Sequence, residues 1–113
     1  MTRFGAARLN AKRDVNEPEI VEALEAVGCL VAKVSGAGVP DLIVWSPFQK
    51  RILLLEVKDG LKVASARKLK PDQVVFHAEW TAAGAPVIVV ENKFAALKAV
   101  GAPHTRQRRK VES

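Results

Sequence analysis

Two apolar runs, VPDLIVW at residues 39–45 and ILLLEVK at residues 52–58, fix most of what this chain can become. A short turn at 46–50 separates them, and nearly every residue in them is aliphatic or aromatic, so both read as strands with at least one buried face. Three charges interrupt the runs: Asp41, Glu56 and Lys58. Taking a carboxylate or an ammonium out of water is costly unless it is paired or binds a metal. Side chains alternate along a strand, so Glu56 and Lys58 project from one face, about 7 Å apart at roughly 3.3 Å of rise per residue. If the strands pair through the turn, Asp41 arrives beside them, and two carboxylates and an ammonium converge. Paired carboxylates are a hard-oxygen site suited to Mg²⁺ or Mn²⁺, which retain waters and accept substrate phosphate as a further ligand. A lysine there can orient an attacking water or offset charge developing on a phosphoryl group. The three charges alone also fit an ordinary solvated sheet face, and the surrounding sequence has to decide.

With 113 residues, 49% of them hydrophobic and 27% charged, the chain has material for one core. The net charge of +6 is concentrated at the ends: residues 1–14 carry four basic groups against one acid, residues 104–113 carry the same, and the middle sums to zero. The chain therefore divides into a basic flexible arm at 1–15, a domain at 16–101 and a basic flexible tail at 102–113. Basic arms favour a polyanion and supply sequence-independent affinity through counterion release. The single cysteine, Cys29, excludes an internal disulfide and, among Leu30 and Val31, reads as core. No stretch is long enough to span a membrane and no signal-type segment follows Met1, so a cytoplasmic protein is expected.

Punctuation gives the element order. Asn16 caps a first helix with Glu19 three residues on as a capping box, and Ile20, Val21, Leu24 and Val27 form its apolar stripe before Gly28. A strand at 29–35, the turn Gly36-Ala37-Gly38 and the two charged strands follow. The glycine turn lacks the GK[ST] ending of a phosphate-cradling P-loop, which excludes a nucleoside-triphosphatase reading. Residues 59–70 show no periodicity. A helix then opens at Pro71 and ends near Gly84, a last strand covers 87–91, and Asn92 caps a final helix ending before Gly101. The order is αβββαβα.

The pattern PD at 40–41 followed by EVK at 56–58 resembles the signature of the PD-(D/E)XK nucleases. Its surroundings, NEPEIVEALEAVG, SGAGVPDLIVW, LLLEVKDG, ARKLKPDQVVFHAEW and VIVVENKFAALKAVG, are similar in order to the VRR-NUC branch of that superfamily in its stand-alone, phage-type form, from Asn16 to Gly101. The resemblance implies an α/β restriction-endonuclease-like core with a mixed four-stranded sheet flanked by helices. It also implies a metal-dependent, structure-selective DNA endonuclease, with Mg²⁺ as cofactor and Mn²⁺ as its substitute. Asp41 and Glu56 would hold the metal with the backbone carbonyl of Val57, and Lys58 would activate water or stabilise the phosphorane. Glu19, preferred over Glu17 and Glu22 because it borders the apolar stripe, would complete a second metal or its water shell. Gln73 matches the glutamine that such proteins carry near the lysine; His77 shares its helix face, as does Trp80, which reads as core.

Lys62, Arg67, Lys68 and Lys70 form a run without an acid, suited to phosphate contacts that position DNA without reading it, and Arg106, Arg108, Arg109 and Lys110 suit the same role. Lys70 departs from the family pattern, which often has Ser or Thr before the helix-opening proline. Stand-alone members are expected to act as homodimers on branched DNA such as Holliday junctions, in DNA repair within a phage or bacterial host cytoplasm, since two scissile strands suit a two-fold dimer. Two other classes compete: a non-catalytic nucleic-acid-binding module that retains the fold, and a small basic structural protein. The latter leaves Asp41, Glu56 and Lys58 without a reason to sit among aliphatics.

Deleting residues 104–113, which carry four basic groups, is expected to make the slope of log binding constant against log salt shallower by up to about 3, at roughly 0.9 per phosphate contact. Fluorescence anisotropy across a salt series measures it; an unchanged slope removes the tail from the interface.

Overall fold

The structure, a computed structural model, describes residues 13–103. Its elements are α1 (Glu17–Ala26), β1 (Leu30–Lys33), β2 (Leu42–Ser46), β3 (Arg51–Val57), a short 3-10 turn (Ala64–Arg67), α2 (Pro71–Ala82), β4 (Val87–Val90) and α3 (Lys93–Ala99). The expected order αβββαβα is thus present, with the 3-10 turn added inside the stretch that shows no periodicity. The strands form one sheet in the order β1-β2-β3-β4. β1 and β3 flank β2 antiparallel, whereas β4 runs parallel to β3. A parallel neighbour requires a long crossover, and the 3-10 turn with α2 provides it. The sheet is therefore mixed, as the α/β reading requires.

Alternation sorts the strand residues onto two unlike faces. Leu42, Val44, Leu53, Leu55 and Val57 point inward and are buried, with Val90 beside them. Against this face lie Ile20 and Leu24 of α1 and Ala96 of α3, with Val100 just beyond α3, forming one core that also includes Cys29. The opposite parity, Ile43, Trp45 and Ile52, faces outward and is partly or largely exposed. Glu56 and Lys58 belong to this outward parity, so their polar groups lie away from the aliphatic core, and α2 covers them.

Both ends of the domain are tied down by side chains. The Ser46 hydroxyl, fully buried, donates to the Val100 carbonyl at 2.6 Å and accepts the Phe48 and Gln49 N–H groups at 3.2 and 3.1 Å. It fastens the β2–β3 turn to the end of α3. Asn92 caps α3 as expected, its side chain accepting the Ala95 N–H at 2.8 Å. The capping box expected at α1 is not made: Asn16 forms no cap bond. Its amide instead donates to the carbonyls of Lys58 at 3.2 Å and Glu91 at 3.0 Å, joining the α1 start to the ends of β3 and β4. Those carbonyls lie where the parallel ladder runs out, and a side-chain donor satisfies them.

The boundaries drawn for the arms shift slightly. Arg13–Val15, assigned to the N-terminal arm, belongs to the folded unit, because Arg13 donates to the Val34 and Asp41 carbonyls. Ala102, assigned to the tail, bonds Leu97 O through its N–H at 3.1 Å and packs on the core. Residues 1–12 and 104–113, with Arg106, Arg108, Arg109 and Lys110, lie outside the described residues.

Replacing Ser46 by Ala removes one donor and leaves the Val100 carbonyl and two turn N–H groups without their buried partner. The expected loss is about 1–3 kcal/mol of unfolding free energy, read from urea denaturation with an unchanged m-value.

Candidate active site

The register of β2 against β3 brings the carboxylates together. Leu42 stands opposite Leu55, so one step further along the ladder Asp41 comes opposite Glu56, where side chains on one face are close neighbours. The Asp41 N–H donates to Leu55 O at 3.1 Å, and its Oδ2 accepts the Val57 N–H at 2.8 Å. Its side chain thus replaces a main-chain acceptor where β2 has ended, and this locks the carboxylate in place.

Glu56 is 1% exposed. Its carboxyl is pushed up to about 8 by burial first, then by the Asp41 charge and a hydrogen bond shared with Asp41, with a smaller contribution from Asp14; Lys58 opposes these. Gln73, on the first turn of α2, holds the cluster. Its Nε2 donates to Glu56 Oε2 at 3.0 Å, while its Oε1 accepts from Lys58 Nζ at 3.1 Å and from the Lys70 N–H at 2.8 Å. A lysine side chain has no acceptor for the helix start, so this Gln73 bond to the Lys70 backbone does the capping. One turn on, His77 Nε2 lies 3.5 Å from Glu56 Oε1, and burial and then Lys58 lower its pKa.

Asp14, Asp41, Glu56, Val57, Lys58 and Gln73 line one polar pocket together with Lys62, Ala66 and Lys70. Of the residues singled out in the sequence, it therefore gathers Asp41, Glu56, Val57, Lys58, Gln73, Lys62 and Lys70. Glu19 is elsewhere: its side chain is 58% exposed and meets Lys93 Nζ at 3.4 Å. The expectation that bordering the apolar stripe turns it toward the sheet does not hold, since that edge of α1 faces α3. The buried α1 carboxylate is Glu17, 2% exposed. Its Oε2 accepts from Arg13 Nε at 2.8 Å, and another Arg13 N–H donates to the Asp41 carbonyl at 3.1 Å. Arg67, expected to contact phosphate, is engaged by Glu91 at 3.2 and 3.3 Å, and Lys68 is exposed outside the pocket lining. Trp80, read as core, is 43% exposed and stacks on Phe76 with ring centroids 4.8 Å apart.

Asp14 is the residue that the sequence reading missed. It sits in a segment read as a basic arm, yet its Oδ1 lies 3.7 Å from Lys62 Nζ on the pocket wall. Its position immediately before the first helix, as the one acid among basics, was the available signal.

Among the described residues no group of three or more His, Cys, Asp or Glu side chains forms a ready metal cage. The donor set fits a divalent cation in another way. Asp41 and Glu56 face one pocket beside Lys58, and the Glu56 carboxyl, raised by burial first and then by the Asp41 charge, marks a place where a cation would stabilise both ionised carboxylates. Hard cations of this kind take part of their shell from backbone carbonyl, water and phosphate.

No known family profile matches the sequence, and no curated protein matches it. A solved structure described as a VRR_NUC domain does match: it is 32% identical, the alignment covers 78% of this chain and 92% of that one, and the TM-score is 0.59. The chain belongs to the VRR-NUC family. The mixed four-stranded sheet with its flanking helices is the restriction-endonuclease-like fold of VRR-NUC domains, and this protein is a nuclease-fold domain. No helix among its described residues is long and apolar enough to cross a membrane.

The Glu56 carboxyl gives a pH signature without metal. Its folded pKa of about 8 exceeds the ordinary 4.5, so the folded state holds the proton more tightly than the unfolded one. Stability is then full below 4.5 and is lost as pH rises through 8. Asp41, Asp14, Lys58 and His77 face this group and set its environment. In chelator, the thermal midpoint of the wild type should fall between pH 5 and 8. Glu56→Gln should flatten that fall, and saturating Mn²⁺ should also flatten it in the wild type. A wild-type midpoint that is level with pH in chelator refutes the assignment.

Proposed function

We propose that this protein is a metal-dependent DNA endonuclease that cleaves phosphodiester bonds in branched DNA. The observation that carries the reading is the convergence of Asp41, Glu56 and Lys58 on one pocket in a VRR-NUC domain. Asp41 and Glu56, with the Val57 carbonyl, would hold Mg²⁺ or Mn²⁺. When bound, the cation supplies Lewis acidity to the phosphoryl oxygens and lowers the pKa of water.

The chain's own residues do the rest. Asp41 is fixed by the Val57 N–H on Oδ2 and shares a hydrogen bond with Glu56, which keeps its carboxylate on the pocket wall. Gln73 aims the Lys58 ammonium by accepting one of its N–H bonds at 3.1 Å, leaving others for a water or a non-bridging phosphoryl oxygen. Lys62 and Lys70 on the pocket wall, with Lys68 nearby, suit backbone phosphates. Glu17, the buried α1 carboxylate, braces the Asp41 backbone, which is a different role from the second-metal or water-shell ligand expected of Glu19. It does so through Arg13, which links it to the Asp41 carbonyl.

Branched DNA and a homodimer are the finer part of the reading. The outward sheet face supports a second copy: Leu30 is 71%, Ile52 62% and Trp45 37% exposed, an apolar surface larger than scattered side chains require. It lies toward the start of β3, away from the pocket at the strand's other end, so two copies could pair there with both pockets open. Phe48, in the β2–β3 turn, is also 40% exposed.

Asp41→Asn and Glu56→Gln should each reduce Mg²⁺-dependent cleavage of a four-way junction by on the order of a hundredfold or more, with DNA affinity in chelator nearly unchanged. Lys58→Ala should lose comparable activity but keep Mn²⁺ binding by calorimetry, since the ammonium acts on the reacting phosphate. Wild-type turnover in either carboxylate variant overturns the assigned site.

A further inference from the structure

After Lys58 the chain leaves the sheet in a loop pinned at its base. Asp59, buried, accepts the Leu61 N–H on its Oδ1 at 3.0 Å, and its carbonyl accepts the Lys62 N–H at 3.1 Å. The Gly60 N–H donates to the Glu91 carbonyl at 3.2 Å, and a Cβ on Gly60 would stand 3.1 Å from the Glu91 Cβ. Arg67 grips the Glu91 carboxylate from the far end of the loop. The backbone is thus over-determined where it meets β4, yet the tip holds aliphatic side chains in water: Leu61 is 97% and Val63 70% exposed. Val15, 80% exposed, follows Asp14, whose carboxylate meets Lys62 between the other two. Leu61 and Val63 thus flank the pocket residue Lys62 at the lip of the site, Val15 follows its ion-pair partner Asp14, and Lys70 also lines the pocket. A solitary exposed leucine needs no explanation; a pinned tip with two exposed aliphatics on either side of a pocket lysine does.

We infer that the Leu61–Val63 tip is a wedge that enters the base stack next to the scissile phosphate and opens the DNA at a branch. This rests on the nuclease reading and deepens it by naming what selects the substrate. Aliphatic side chains gain nothing from phosphates but gain from leaving water between partly unstacked bases, as apolar wedges do in DNA-bending proteins. Lys62, between the two aliphatics, neutralises the adjoining phosphate and keeps the wedge seated. Opening costs least where stacking is already broken, at a branch, an end or a mismatch. The wedge thereby favours those structures with no base-edge contact, and selectivity follows deformability. The rigid loop base is what a wedge requires, because a floppy tip would fold back on itself instead of pushing bases apart.

The test uses the full chain in chelator, where no cleavage occurs, on a four-way junction with 2-aminopurine at the branch point. Wild-type protein should raise the fluorescence several-fold. Leu61→Ser/Val63→Ser should leave it near the free-DNA level with less than a tenfold loss of affinity, and Leu61→Met should retain the signal. With Mn²⁺, the double variant should cut the paired junction about tenfold more slowly than wild type and recover on a junction with two mismatched pairs beside the cut. A wild-type signal that does not rise, or one equal in the double variant, overturns the wedge. So does a shift of the double variant from dimer to monomer in sedimentation, which makes the lip an interface between copies. A wild type that opens the branch but cuts nothing with either metal upholds the wedge and refutes the nuclease; one that cuts with an unmoved signal does the reverse.

Discussion

The hydrogen bond from the Val57 N–H to Asp41 Oδ2 is the interaction on which the rest of the molecule's chemistry depends. It forms where β2 stops and β3 continues, so a side chain stands in for the missing strand partner. Without it, a buried amide would lack an acceptor, and the carboxylate would be free to swing into solvent. With it, Asp41 is held opposite Glu56, and two acidic groups are brought together in a poorly hydrated place. The raised Glu56 carboxyl is the direct consequence.

Everything around the pair tempers that repulsion without removing it. Gln73 offers one donor to Glu56 and one acceptor to Lys58, so a neutral side chain keeps an anion and a cation apart and aimed. A charged residue in its place would collapse onto one of them. The same oxygen accepts the Lys70 N–H, which couples the alignment of Lys58 to the start of α2. Arg13 plays a corresponding part on the other flank, connecting Glu17 to the backbone at Asp41 and at Val34. The central pair thus inherits its geometry from a helix on each face of the sheet.

The features legible in the sequence were those set by short-range rules. Alternation in ILLLEVK placed Glu56 and Lys58 on one face, and pairing through the 46–50 turn placed Asp41 beside them, because register follows from the turn and the pleat. Gln73 was marked by the family resemblance of LKPDQ and not by a local rule, since a glutamine at a helix start is ordinarily solvated. What stayed hidden was decided by long-range competition for partners. Asn16 has the chemistry of an N-cap, but carbonyls at the ends of two distant strands claim its amide. Glu19 borders the stripe, yet α3 supplies Lys93 to draw it outward. Arg67 resembles a free phosphate contact until β4 brings Glu91 to it. Asp14 looked like part of a basic arm, since its local signal, one acid among basics just before the first helix, does not say that Lys62 of a distant loop will meet it.

The glycine turn before Asp41 sets a limit of another kind. Gly38 is buried with φ of 77°, and a Cβ there would stand 2.7 Å from the Asp72 carbonyl, so the absence of a side chain lets the start of α2 rest directly on the turn. The β2–β3 hairpin carries Asp41, Glu56 and Lys58, and in composition resembles a transplantable cassette. Its orienting glutamine, however, arrives on a helix seated against that one hydrogen. A scaffold that borrowed the hairpin and put alanine at this position would hold all three charged residues and still lack the means to point the lysine.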